Sequence, residues 1–277
     1  MSQPADAHLR QATDRLADAG VETPARDARL LMRWALRTDG AGLALHTRPL
    51  NIEEQSRFEI AVARRVRREP LSHITGTREF WGREFEVTAD VLDPRPETEC
   101  LIAEALHRGP FRKVLDLGTG SGCILLTLLA EWPDATGMGS DLSPSALEVA
   151  HRNMQALGVQ DRAQLILSDW GAEIRGVFDL IVSNPPYIAE EEMPNLSPEV
   201  RNFESTMALT PGGDGLAAYE TIANLALRHL APNGLLMVEI GPTQSLQVSA
   251  IFANAGLMVQ SVLPDLDQRA RVVVAHP

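Results

Sequence analysis

Asn184-Pro185-Pro186-Tyr187 is the stretch of this sequence whose residue types best suit chemistry. It follows an apolar, β-branched run from Phe178 to Ser183 that reads as a buried strand, so it sits at a strand's carboxyl end. Two consecutive prolines fix φ and remove two backbone N–H donors, leaving a rigid turn rich in carbonyls and poor in competing donors. A planar amide or exocyclic amine carries two N–H groups. One would donate to the Asn184 side-chain oxygen and one to the Pro185 carbonyl, holding the nitrogen in line with an electrophile under the Tyr187 ring. A Pro-Pro turn after a strand is common, so this reading needs support elsewhere in the chain.

That support comes from a glycine loop. Val114-Leu115-Asp116-Leu117-Gly118-Thr119-Gly120-Ser121-Gly122 places three glycines between an apolar strand and a helix, where a backbone approaches a ligand closely. The spacing is GxGxG. The third glycine position of a dinucleotide fingerprint is Cys123, which weakens a nicotinamide reading, and no GxxxxGK[ST] is present for a Walker loop. Asp141 follows the second strand, 23 residues after Gly118, where its carboxylate would accept both hydroxyls of a ribose. After the third strand, Ser168-Asp169-Trp170 adds an acceptor for an adenine amine and an indole face for the base. Loop, acid and indole together predict an adenosine-type ligand beside the Asn-Pro-Pro-Tyr turn.

The elements that must hold these residues alternate. Strands are expected at Lys113 to Leu117, Ala135 to Ser140, Gln164 to Leu167, Phe178 to Ser183, Gly234 to Ile240, Leu257 to Leu263 and Arg271 to Ala275. Helices are expected at Cys123 to Glu131, Pro144 to Leu157, Leu216 to Leu230 and Gln244 to Ala255. Such alternation implies an α/β fold: a Rossmann-like sheet of seven strands, mostly parallel, with ligands beyond its carboxyl ends. No helix separates the last two strands, so a hairpin through Pro264 to Ala270 should make the final strand antiparallel. Upstream, helices are expected at Ala5 to Ala19, from Pro24 to Leu36, and from an Asn51 cap, with Glu54 three residues on, to about Glu69. Ile74 to Val91 reads as a β-hairpin around Gly82. The expected division is a helical domain over 1–73, a hairpin linker over 74–91 and a ligand-binding domain over 92–277.

Composition narrows the function further. The 277 residues carry 25 Lys and Arg against 37 Asp and Glu, a net charge of −12, which argues against a protein that holds nucleic acid through its overall charge. Arg64, Arg65, Arg67 and Arg68 make a local basic spot, either a solvated helix end or a docking surface. No apolar run approaches the length of a membrane span, and the opening Met1-Ser2-Gln3-Pro4 lacks a signal core, so a cytoplasmic protein is expected. Cys100 and Cys123 form no CxxC pair and are expected to be small buried hydrophobes, and the seven histidines make no HExxH, so no metal is expected. Gly120 stands where a nucleophile elbow needs serine, which excludes GxSxG hydrolysis.

The conjunction of these residues resembles the class I S-adenosylmethionine-dependent methyltransferases, from about Leu92 to the C-terminus. Within them it is similar to the glutamine-N5 methyltransferases of peptide chain release factors. The closer likeness rests on Phe80-Trp81, Pro94-Arg95-Pro96-Glu97-Thr98-Glu99, Asp116 to Gly122, Asn184-Pro185-Pro186-Tyr187-Ile188, and Val200-Arg201 with Phe203-Glu204. The resemblance implies S-adenosylmethionine as cofactor, contacted by Gly118, Thr119, Gly120, Ser121, Gly122, Asp141, Leu142, Asp169, Trp170 and Asn184. It implies the glutamine of a Gly-Gly-Gln loop in class 1 release factors as acceptor, held by Asn184 to Tyr187 with Arg95 and Glu97, and it makes Asn184, Pro185 and Tyr187 the catalytic residues. A monomer acting on a protein partner, without direct nucleic-acid contact, goes with it. The sequence departs from the family pattern at Asp93, where an apolar residue is expected, and at Asp265-Leu266-Asp267-Gln268, where Gly-x-Asp is commoner. The alternatives are an adenine-N6 methyltransferase of DNA or RNA, which shares Asn-Pro-Pro-Tyr, a glutamine methyltransferase of another protein such as a ribosomal protein, and a cofactor-binding module without turnover.

Overall fold

The computed structural model describes residues 5–44 and 48–277. The opening residues Met1 to Pro4 lie outside them. Two compact units are present, one made of the described residues up to Gly76 together with Ser197–Phe203, the other of Thr77–Leu196 and Glu204–Pro277.

The first unit is helical. Its elements are α1 (Ala5–Asp18), α2 (Pro24–Leu36), α3 (Gly40–Ala44), α4 (Ile52–Val66) and α5 (Leu71–Thr75). Pro24 starts α2 with a φ already suited to a helix, and Asn51 caps α4 in a reciprocal box with Glu54. The apolar faces meet in a core that includes Leu16, Leu31, Met32, Phe58 and Val62. The third expected helix stops at Val66 rather than Glu69, because Arg68 turns into the left-handed region at φ 68°. The short helix α5 replaces the first residues expected in the hairpin. Three of the four arginines after Ala63 are held by carboxylates: Arg64 by Glu69, Arg65 by Asp27 and Glu199, and Arg68 by Glu199, while Arg67 is exposed. These pairs give Arg64, Arg65 and Arg68 a structural part in the helical unit.

The second unit begins with a hairpin, β1 (Thr77–Phe80) and β2 (Arg83–Glu86). Trp81 and Gly82 at its tip both have positive φ, 50° and 67°, the twist that a two-residue hairpin loop requires. Next come α6 (Glu99–Arg108), β3 (Lys113–Leu117), α7 (Cys123–Glu131), β4 (Thr136–Asp141), α8 (Pro144–Ala156), β5 (Ala163–Leu167) and β6 (Phe178–Ser183). After β6 the chain passes through α9 (Pro198–Phe203), which belongs to the helical unit. It returns as α10 (Thr206–Leu209), α11 (Ala217–His229), β7 (Leu230–Glu239), α12 (Ser245–Ala255), β8 (Met258–Pro264) and β9 (Ala270–His276).

The sheet has seven strands in the order β5-β4-β3-β6-β7-β9-β8, parallel except for β9, which runs antiparallel to both neighbours. The order reverses at β3, so the carboxyl ends of β3, β4 and β6 open onto one crevice. Two apolar layers cover the sheet, one built on Leu101, Leu125 and Leu129, the other on Tyr219, Ile222 and Phe252. β7 starts four residues before its expected first residue, Gly234. Phe178 pairs with Leu230 and Leu180 with Leu235, and this shift of register absorbs Pro232 and Gly234, which break the apolar pattern. No helix among the described residues is long and apolar enough to cross a membrane.

Candidate active site

A cavity of about 380 Å³ lies beyond the carboxyl ends of these strands. Four strand ends and the turns after them supply most of the residues expected there. The turn from β3 to α7 contributes Gly118, Thr119, Gly120 and Ser121; the end of β4 contributes Asp141 and Leu142; the turn after β5 contributes Asp169 and Trp170; and the end of β6 contributes Asn184 and Pro186. Arg95 lines it as well. Gly122, Pro185, Tyr187 and Glu97 do not stand on its wall, though each adjoins a residue in contact with it.

Each group takes its place for a local reason. Gly118 and Gly120 have φ of 71° and 55°, so their backbone follows a path that a side chain would strain. The loop then turns onto the Asp141 carboxylate, which accepts the Gly120 N–H at 2.8 Å on one oxygen and the Ser143 N–H at 2.9 Å on the other. A carboxylate oxygen accepts more than one hydrogen bond, so Asp141 keeps capacity toward the cavity. Beneath it Asp116 is fully buried, with one oxygen taking the Thr119 hydroxyl at 2.7 Å. Desolvation pushes the Asp116 carboxyl up to about 7, against the bond from Thr119. Trp170 holds φ 51°, a conformation that costs a bulky residue energy and that its position over the cavity explains.

The Asn-Pro-Pro-Tyr turn is fixed from behind. The Tyr187 carbonyl accepts the Gln244 side-chain N–H at 2.8 Å, and the Tyr187 hydroxyl reaches Glu239 at 3.3 Å and Arg271 at 3.4 Å. Tyr187 is thus a buttress on the core side of the turn, with its hydroxyl turned inward, where the sequence suggested a ring lying over the acceptor. Burial pushes its phenol well above the ordinary range. Gly215 closes against the same turn: a Cβ there would stand 2.3 Å from the Tyr187 carbonyl oxygen. Asn184 donates from Nδ2 to the Thr98 hydroxyl at 3.2 Å, while its Oδ1 is buried without a partner.

The two departures from the family pattern sit differently: Asp93 keeps one buried oxygen without a partner, while Asp265 is fully engaged. Asp93 is buried with one oxygen 3.8 Å from Arg78. Asp265 folds its own loop, accepting the N–H groups of Asp267 and Arg269 and the side chain of Arg271. Of the two residues proposed from the Pro94–Glu99 stretch, Arg95 donates to both oxygens of Glu204 at 2.7 and 2.8 Å, and Glu97 lies 3.8 Å from Arg269.

Sequence reasoning missed several groups. Ser205, Met207, Ala208, Thr210 and Pro211 form one wall, contributed by α10 and its flanks, too short a helix to show periodicity. Thr98, inside the Pro94–Glu99 stretch, lines the cavity as well. Glu239 carried a signal, a carboxylate at the end of an apolar strand, and it is 1% exposed. Its oxygens take the Thr98 hydroxyl at 2.6 Å and the Tyr187 hydroxyl, with Arg271 at 3.9 Å.

Comparison with known proteins agrees with this construction. Residues 7–76 match the family described as the PrmC N-terminal domain, and residues 91–216 match the methyltransferase small domain. Among solved structures, a methyltransferase from Pyrococcus furiosus shares the fold at a TM-score of 0.55 and 17% identity, over 77% of this chain and 97% of that one. The hMettl16 catalytic domain, solved with an RNA hairpin, does so at 0.58 and 16%, over 78% and 81%. The release factor glutamine methyltransferase of Cereibacter sphaeroides is 56% identical over 97% of this chain and 96% of its own length. The protein of that name from Rhodospirillum rubrum is 46% identical over 95% and 82%, and that from Caulobacter vibrioides 44% over 95% and 93%. With identity at this level over nearly its whole length, the chain belongs to the release factor glutamine methyltransferase family, enzymes that use S-adenosylmethionine.

Proposed function

We propose that this protein transfers the methyl group of S-adenosylmethionine to the side-chain amide nitrogen of the glutamine in the Gly-Gly-Gln loop of class 1 peptide chain release factors, and so modulates translation termination. The observation that carries the reading is one cavity of about 380 Å³ lined by both Asp141 and Asn184, the latter with a buried Oδ1 that has no partner. The full-length similarity to enzymes named for this reaction supports the choice of acceptor.

The residues present fit the cofactor. Gly118 to Ser121 would lie against its amino-acid portion, Asp141 would take the ribose hydroxyls, and Asp169 and Trp170 would hold the base. S-adenosylmethionine supplies, when bound, a methyl group on a positively charged sulfur that leaves with the bonding electron pair. An amide nitrogen is a weak nucleophile because its lone pair is delocalised into the carbonyl, so the protein must hold it in line and stabilise the positive charge that develops on it. Asn184 Oδ1 and the Pro185 carbonyl would accept its two N–H groups. Those bonds strengthen as the nitrogen becomes cationic, which favours the transition state over the ground state. The proton lost afterwards would pass to water. Glu97 and Asp169 lie within the region but have no assigned part in proton transfer.

A cytoplasmic monomer acting on a protein goes with this reading, since the substrate belongs to the translation apparatus. The net charge of −12 supports a protein acceptor over a nucleic acid, whose phosphates the surface would repel. Incubation with labelled S-adenosylmethionine and three acceptors tests the choice: a release factor, the same factor with its Gly-Gly-Gln glutamine replaced, and adenine-containing DNA. Label on the intact factor alone is expected. Label on DNA would favour the adenine-N6 alternative.

A further inference from the structure

Asn184 can serve as acceptor only with its oxygen, and not its NH₂, turned toward the substrate. A primary amide has nearly the same shape either way round, so a neighbour must choose. Thr98, in the turn before α6, is 1% exposed and has one proton to give. Its hydroxyl donates to Glu239 Oε2 at 2.6 Å, and its lone pair accepts from Asn184 Nδ2 at 3.2 Å. Asn184 lines the cavity, and its Oδ1 is left buried without a partner. We infer that Thr98 and Glu239 are positioning residues that set the orientation of the Asn184 amide, through a one-way order of donors from Asn184 to Thr98 to Glu239. The inference rests on the proposed role of Asn184 as acceptor for the substrate amide.

The order has a condition. Only an ionised Glu239 obliges Thr98 to donate away from Asn184; a protonated one can donate to Thr98, whose hydroxyl then points its proton at Asn184 and favours the inverted amide. Several groups face this carboxylate. Arg271 approaches from β9, Tyr187 from the turn after β6, and Tyr219 from α11, its hydroxyl on the Glu239 backbone carbonyl at 3.1 Å. Glu97, Cys100 and Cys123 act at longer range. Desolvation outweighs the Thr98 bond and the Arg271 charge and pushes the carboxyl up to about 7. Activity should accordingly carry an acid limb in the neutral range that belongs to Glu239.

The test compares wild type, Thr98→Val, Thr98→Ser and Glu239→Gln in methyl transfer to a release factor from about pH 5.5 to 9, with the S-adenosylmethionine Kd and the Tm of each. Thr98→Val keeps the shape and loses both hydrogen bonds, so kcat should fall about 10- to 100-fold with Kd nearly unchanged. Thr98→Ser should recover to within a few-fold. The acid limb should persist in Thr98→Ser and vanish in Glu239→Gln. A wild-type kcat in Thr98→Val, an equal loss of kcat and cofactor affinity, or an acid limb that survives in Glu239→Gln would overturn the inference. Should Thr98→Val unfold, as its Tm would reveal, the pH profiles of the other two decide. A wild-type protein that methylates no release factor would reject the functional reading itself, before any variant is compared.

Discussion

Asp141 holds the glycine loop: its carboxylate accepts the Gly120 N–H at 2.8 Å while its other oxygen takes the Ser143 N–H. One side chain thereby sets the backbone of the turn and keeps acceptor capacity toward the cavity. Replacing Asp141 by Ala should weaken S-adenosylmethionine binding by roughly 10- to 100-fold, the loss of charge-assisted bonds to two hydroxyls. Calorimetric titration would show it, and an unchanged Kd would remove Asp141 from the cofactor site.

Asn184 should separate binding from transfer. Asn184→Ala deletes the acceptor for one amide proton, so kcat should fall about 100- to 1,000-fold, in the range seen when one transition-state hydrogen bond is removed. Cofactor affinity should change by only a few-fold. Equal losses in kcat and affinity, measured side by side, would show that Asn184 acts mainly on the cofactor.

Gly215 has φ 80° and no room for a Cβ beside the Tyr187 carbonyl. Gly215→Ala should cost about 1–3 kcal/mol of stability and displace the Asn-Pro-Pro-Tyr turn, so transfer should fall as well. Urea unfolding checks the first effect. A variant as stable and as active as wild type would mean that the turn does not depend on this contact.

Two buried carboxyls, Asp116 and Glu239, are each pushed up to about 7 by desolvation. Between the ordinary carboxylate range and about pH 7 the folded chain therefore holds protons that the unfolded chain has released. Stability from these groups falls as pH rises through that window, by on the order of 3–4 kcal/mol each at most. Glu69 and Glu199, lowered by their arginines, act oppositely and lose their contribution only under more acid conditions. Unfolding free energies at about pH 5 and pH 8 should show Glu239→Gln gaining on wild type at the higher pH. A difference independent of pH would mean that Glu239 is ionised throughout.

Much of this was legible in the residues, and what escaped did so for physical reasons. The glycine loop, Asp141 and the Asn-Pro-Pro-Tyr turn are local patterns, and regular alternation located the sheet that joins them. Helix α6 escaped because it follows a proline-rich stretch and presents a short apolar face of Leu101, Ile102 and Ala105. The beginning of β7 was hidden by Pro232 and Gly234. The partnership of Thr98 with Glu239 joins residues 141 positions apart, and only the folded sheet brings them together. Tyr187 faces inward because Glu239 and Arg271 lie behind it, and no spacing in the sequence announces that.

The most direct test of the central claim is to locate the methyl group. After incubation of the protein, S-adenosylmethionine and an unmodified release factor, fragmentation mass spectrometry of the factor should find the added methyl on the side-chain nitrogen of the Gly-Gly-Gln glutamine and on no other residue. A methyl on another residue, or a factor left unmodified while a different acceptor is labelled, would contradict the account.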